Sequence, residues 1–131
     1  MNLRAVIAQI DLSALTANFQ IIKQLAPNSM ILAVLKANAY GHGLERIAQA
    51  IPQADAFGVA RIDEALALRA SGVIKPIVLL EGFFCADDLD LIAANNLQTV
   101  VHNQQQLDVI CQANLDRPLK VWLKIDTGMH R

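Results

Sequence analysis

Lys36 is the residue best placed to do chemistry in this chain. It closes an apolar run, Met30-Ile31-Leu32-Ala33-Val34-Leu35, and is followed at once by Ala37-Asn38-Ala39-Tyr40-Gly41-His42-Gly43. The run reads as a buried strand, so the lysine falls where the strand ends and a glycine-rich turn begins. In α/β proteins ligands bind at the C-terminal ends of strands. An amine held there with its stem out of water can act as a nucleophile toward a carbonyl. The plainer alternative is a lysine that surfaces as its strand exits, stem buried and head in water. Tyr40, the one tyrosine of the chain, lies a short turn further on, where Gly41 and Gly43 permit close backbone approach. Its alternative role is to pack the loop against a helix. His42 reads as a solvated or loop-bonded histidine. A second group sits at the far end, in Leu123-Lys124-Ile125-Asp126-Thr127-Gly128-Met129-His130-Arg131. Asp126-Thr127-Gly128 predicts a side-chain-capped turn, and Lys124 without further context is a strand lysine facing solvent.

These residues need elements to hold them. Candidate strands are Ile31–Leu35, Ala56–Ala60, Ile77–Leu80, Gln98–Val101 and Lys120–Ile125, evenly spaced, each gap holding one helix-like segment. In Leu44–Ile51, Leu44, Ile47, Ala48 and Ile51 share a face. Asp63–Ala70 ends at Ser71-Gly72. Asp87-Asp88 opens the next helix, where acids suit the dipole, and Asn95-Asn96 ends it. Asn103 is a good N-cap for the last, with Leu107, Ile110 and Cys111 expected inward. Before the array lie an ambiguous strand, Arg4–Ile10, and an amphipathic helix from about Asp11 to Leu25, expected to turn Leu12, Leu15, Phe19, Ile22 and Leu25 inward before Ala26-Pro27 closes it.

Successive βα units with short connections predict a parallel sheet with right-handed crossovers. A doubly wound open sheet and an eight-stranded barrel both accept that pattern. Lys36, Arg61, Glu81, His102 and Lys124 with Asp126 all fall at or just after strand ends, and polar groups converging from every strand suit a barrel mouth better than a single crevice. Arg61 and Glu81 are expected to line that mouth or to pair with each other. Five strands do not close a barrel of eight. The expectation is therefore α/β, the first part of a (β/α)8 barrel with about five units, incomplete, belonging to the N-terminal part of a larger protein.

The chain has 131 residues and a net charge of -1. That length suits one domain. The absence of any basic run argues against nucleic acid as a partner. Hydrophobic residues make up 54%, high for a soluble domain, yet no apolar stretch approaches the ~20 residues of a membrane span. The start, Met1-Asn2-Leu3-Arg4, has no signal-peptide core. Cys85 and Cys111 fit no metal-ligand spacing and read as reduced thiols, which places the chain in the cytoplasm.

The segment Leu35–Gly43 closely resembles the pyridoxal-phosphate lysine motif of the alanine racemases. Gly58-Val59-Ala60-Arg61 with Glu64-Ala65, Leu80-Glu81-Gly82-Phe83, and Leu123–Arg131 resemble the same family, in its order, so that the resemblance spans essentially the whole chain. It implies a cytoplasmic isomerase that interconverts L- and D-alanine for peptidoglycan synthesis and works as a homodimer. It implies that Lys36 condenses with the cofactor's aldehyde and serves as the base on the D-alanine side, and that Tyr40 bonds the cofactor phosphate. Arg131 would donate to the phenolic oxygen and orient the region that binds the substrate carboxylate. Lys124 would be a lysine carbamylated in many members, where the carbamate holds that arginine. The opposing base would be a tyrosine of the partner subunit. The resemblance further implies that residues 1–10 form a strand segment belonging to a separate β-domain and that 11–131 are the partial cofactor-binding barrel. Alone, the chain would bind the cofactor weakly and be inactive. Other readings are a non-catalytic half-barrel that assembles with its other half, or a related barrel protein, an amino-acid decarboxylase or cofactor carrier.

Overall fold

A computed structural model describes residues 6–130. The chain runs α1 (Leu12–Leu25), β1 (Leu32–Val34), α2 (Lys36–Tyr40), α3 (Leu44–Ala50), β2 (Ala56–Val59), α4 (Ile62–Ala70), β3 (Ile77–Leu79), α5 (Asp88–Ala94), β4 (Gln98–Val101), α6 (Gln104–Gln112) and β5 (Lys120–Leu123). The five strands form one sheet in the order β1-β2-β3-β4-β5, and all neighbours are parallel. A doubly wound sheet would reverse its strand order at a switch point. No reversal occurs here, so the sheet is the incomplete wall of a (β/α)8 barrel.

Register sorts the residues onto two faces. Phe57, Val59, Ile77 and Leu79 lie on one side, are at most 2% exposed, and pack with Leu68, Leu89 and Ile92 of the covering helices. The other side carries Leu32, Val34, Gly58, Val78, Gln98, Val100 and Trp122. There Trp122 Nε1 donates to Gln98 Oε1 at 2.7 Å. By the two-residue alternation of a strand, Lys36 and Lys124 continue this second side. Every residue of β5 is exposed.

Local signals account for most helix ends. Asp11 Oδ1 accepts from the Ser13 and Ala14 N–H groups and starts α1. Asn103 Oδ1 accepts from Gln106 N–H at 2.7 Å and starts α6. At α5, burial pushes the Asp88 pKa up. The N–H groups of Phe84 and Cys85 and the Cys85 side chain outweigh it, and hold the carboxyl below its ordinary value.

Three expectations need correction. In α1, Leu12, Leu15 and Phe19 face the core, but Ile22 is 51% and Leu25 81% exposed. The helix overhangs the free edge of β1, where among the described residues nothing covers its second half. In α6 the buried residue is Gln106, while Leu107 and Cys111 are exposed. A polar demand sets that rotation: Gln106 Oε1 accepts from His102 N–H at 2.9 Å, and its amide donates to Phe83 O at 3.5 Å. Residues 6–10 of the expected first strand are irregular, and its start at Arg4 lies outside the described residues. Among the described residues no helix is long and apolar enough to cross a membrane.

Candidate functional site

β1 delivers Lys36 to the C-terminal edge of the sheet, and the backbone then enters a conformation that its sequence does not announce. Ala37, Asn38 and Ala39 have φ/ψ of 53/50, 56/44 and 53/48, and Tyr40 has φ 54. Four consecutive residues with a side chain are thus left-handed. Each such residue costs about 1–2 kcal/mol relative to the right-handed form, so the turn persists only if its surroundings over-determine it. Several contacts do. Ala39 is buried in the core, 5% exposed. Asn38 Oδ1 accepts from Leu44 N–H at 2.8 Å and supplies the cap that Gly43 cannot give α3. Gly41 N–H donates to Ala37 O, and Gly43 N–H to Asn38 O. His42 Nδ1 lies 2.9 Å from Ala39 O, where its N–H form donates, which agrees with a loop-bonded histidine. Ala37 N–H donates to Glu64 Oε1 at 2.6 Å.

The turn presents Lys36 to an open cleft of about 990 Å³ at the C-terminal edge. Leu80, Glu81 and Phe84 after β3, His102 after β4, and Lys124–Met129 after β5 line it with Lys36. The cleft therefore gathers residues from four of the five strand ends. Among the described residues Lys36 has no ion-pair partner. The two lysines singled out from sequence share this space. Tyr40 instead opens on a separate apolar groove, between α1 and the edge of β1, that includes Leu35 and Ala39 and shares no lining residue with the Lys36 cleft. Arg131 lies outside the described residues. Asp126 Oδ1 accepts from His130 N–H at 2.8 Å, closing the expected side-chain-capped turn. Arg61, expected to line the mouth or to pair with Glu81, instead pairs with Asp63 at 3.0 Å on the surface.

Sequence reasoning passed over Glu64, Gln106 and Gly82 as positioning groups. Their signal was weak: Glu64 stands three residues after Arg61, the spacing of a capping box but without the usual Ser or Thr. Gly82 has φ +85, and a Cβ there would meet the Gln106 side-chain amide and, at 2.7 Å, Val100 O. Gly82→Ala is expected to destabilise the chain by about 2–4 kcal/mol, read by thermal denaturation. An unchanged midpoint would mean that the loop after β3 re-forms without strain.

The family model described as "Alanine racemase, N-terminal domain" matches residues 10–131. The alanine racemase of Haemophilus influenzae is 60% identical over 132 residues, covering 100% of this chain and 37% of the relative. That of Pasteurella multocida is 58% identical with the same coverage. The crystal structure of biosynthetic alanine racemase from Pseudomonas aeruginosa superposes with a TM-score of 0.88 at 43% identity, over 93% of this chain and 34% of that one. A histidine racemase from Leuconostoc mesenteroides superposes with a TM-score of 0.80 at 36% identity, over 92% of this chain and 33% of that one. The chain thus spans about a third of the length of these relatives.

Proposed function

Because the chain belongs to the alanine racemase family through its N-terminal domain, we propose that it supplies the lysine-bearing part of a pyridoxal-phosphate-dependent enzyme that interconverts L- and D-alanine. The observation that carries this reading is the Lys36 side chain opening on the cleft at the strand ends beside Lys124. The residues fit the cofactor. Lys36 offers an amine to its aldehyde, Lys124 lines the same cleft, and Tyr40, at a separate groove, carries a hydroxyl that can donate. When bound, pyridoxal phosphate draws electrons from the α-carbon of an amino acid and makes its proton acidic. Lys36 is the base that removes and returns that proton on the D-alanine side. Tyr40 donates to the phosphate, and Arg131 to the phenolic oxygen and the substrate-carboxylate region. Lys124, in carbamylated form, holds Arg131.

Racemisation is proposed for a polypeptide of the relatives' length, as a cytoplasmic homodimer feeding peptidoglycan synthesis, with the opposing base from the second subunit. Residues 1–10 are assigned to a separate unit of that polypeptide and 11–131 to the barrel. The 131-residue chain alone, with β5 exposed throughout, is proposed to be inactive. Likeness to a histidine racemase supports placing the choice of side chain outside these residues.

The test is to incubate the chain with a slight excess of pyridoxal phosphate, reduce with borohydride, and map the modified lysine by mass spectrometry. Selective modification of Lys36 is expected, and labels spread evenly over the lysines would overturn the reading for this polypeptide. Tyr40→Phe removes one hydrogen bond to a charged group, worth about 1.5–3 kcal/mol. Cofactor affinity of the full-length enzyme, measured by titration, is expected to fall accordingly. Unchanged affinity would assign Tyr40 to packing.

A further inference from the structure

We infer that Glu64 is the positioning residue of the reactive lysine: its carboxylate ties the left-handed turn after Lys36 to the end of β2 and the start of α4, and so sets where the amine stands. The inference rests on the role proposed for Lys36.

Glu64 receives three backbone N–H groups. Oε2 accepts from Ala60 at 3.0 Å and from Arg61 at 3.1 Å, and Oε1 accepts from Ala37 at 2.6 Å. The first two bonds are local and belong to the start of α4, where Glu64 occupies the third helical position. A helix cap needs no more than that oxygen. The second oxygen reaches 27 residues back along the chain, to the peptide that joins Lys36 to Ala37.

That peptide is where control matters. Ala37 and Ala39 have no side-chain reason to be left-handed, since alanine is the best right-handed helix former. The other contacts hold the turn further along, through the burial of Ala39 and the bond from Leu44 N–H to Asn38. Glu64 is the one side chain among the described residues that bonds the N–H of Ala37. Releasing that N–H loosens the peptide after Lys36, so that φ and ψ of Lys36 readjust together, and the change in φ swings its side chain relative to β1. Misplacement by about 1 Å costs on the order of a hundredfold in reactions that depend on alignment.

The site also requires a carboxylate. Three donors converge on two acceptor oxygens. A carboxamide has one acceptor oxygen and an NH2 group, which on one side would face N–H with N–H. Turned toward the two donors at α4, the Glu64→Gln side chain keeps the cap and loses Ala37. This variant therefore separates the local role from the distant one.

The experiment compares the unsubstituted full chain with Glu64→Gln and Glu64→Asp. It follows folding by circular dichroism, and pyridoxal-phosphate capture by borohydride trapping with mass-spectrometric mapping across pH. For Glu64→Gln the rate of Lys36 labelling is expected to fall about ten- to hundredfold, with a shifted pH profile, while labelling of the other lysines and the folded signal persist. Glu64→Asp keeps the charge but falls short of one side, and is expected to lie between the two. Equal Lys36 labelling and an equal pH profile in Glu64→Gln would overturn the inference and leave Glu64 a helix cap. If the unsubstituted chain shows no preference for Lys36, the proposed function fails and this inference falls with it. Should Glu64→Gln not fold, amide exchange in the unsubstituted chain decides: a protected Ala37 N–H supports the tie, and one exchanging as fast as an unstructured amide overturns it.

Discussion

Lys36→Ala in the full-length enzyme is expected to lower racemisation by at least about 10⁴-fold and to abolish borohydride-trappable cofactor at position 36. A positioned proton-transfer group is worth about 10² to 10⁴ in rate, and Lys36 is assigned a second role as the covalent anchor of the cofactor. The fold should survive. Lys36 is only half-buried and makes no ion pair among the described residues, and the left-handed turn is held through Ala37, Asn38 and Ala39. Circular dichroism of the variant should therefore match the unsubstituted protein. Turnover retained with cofactor bound would sink the assignment of Lys36, and lost folding would show that the lysine stem supports the end of β1.

Arg69→Met should produce a large loss of stability with no direct contact to the cleft. The guanidinium donates four hydrogen bonds to carbonyl oxygens. Nε reaches Asn95 at 2.9 Å, Nη1 reaches Val73 and Lys75 at 2.8 Å each, and Nη2 reaches Asn96 at 3.0 Å. One side chain thus ties α4 to the loop before β3 and to the end of α5, where Asn96 has a positive φ of 49. Desolvation by burial lowers the Arg69 pKa, and a guanidinium remains charged under all ordinary conditions. Methionine keeps the apolar stem and leaves four carbonyls to water. The expected cost is about 3–4 kcal/mol, which moves the urea midpoint down by roughly 1–2 M at unchanged slope. Arg69→Lys should recover only part of it, because an ammonium lacks the planar fork. A shift of Arg69→Met below about 0.5 M would mean that water replaces the guanidinium at little cost.

Much of this was legible in the residues. The alternation of apolar runs and amphipathic segments placed all five strands and the helices between them, because both periods are local and each strand end carries its own turn residues. Asp11, Asn103 and Asp88 were readable as helix starts for the same reason: a cap acts within three or four residues. Lys36 and Lys124 were legible because a charge that ends an apolar strand has only the strand end to occupy. The inward faces of α1 and α6 were less legible. Leu25 and Leu107 satisfy a helical apolar pattern, yet one overhangs an open edge and the other is turned out because Gln106 must serve His102 N–H and Phe83 O.

By itself, then, the sequence determined the βα array, the residues at its strand ends and the family to which they point. The tertiary structure decided the strand order that selects a barrel wall over a doubly wound sheet, the sharing of one cleft by Lys36 and Lys124, and the left-handed turn between Lys36 and Gly41. The physical reason is range. Ala37 and Ala39 carry no local preference for positive φ, and the bond that holds the first of them comes from a carboxylate 27 residues away, which exists only once β1 and β2 have paired.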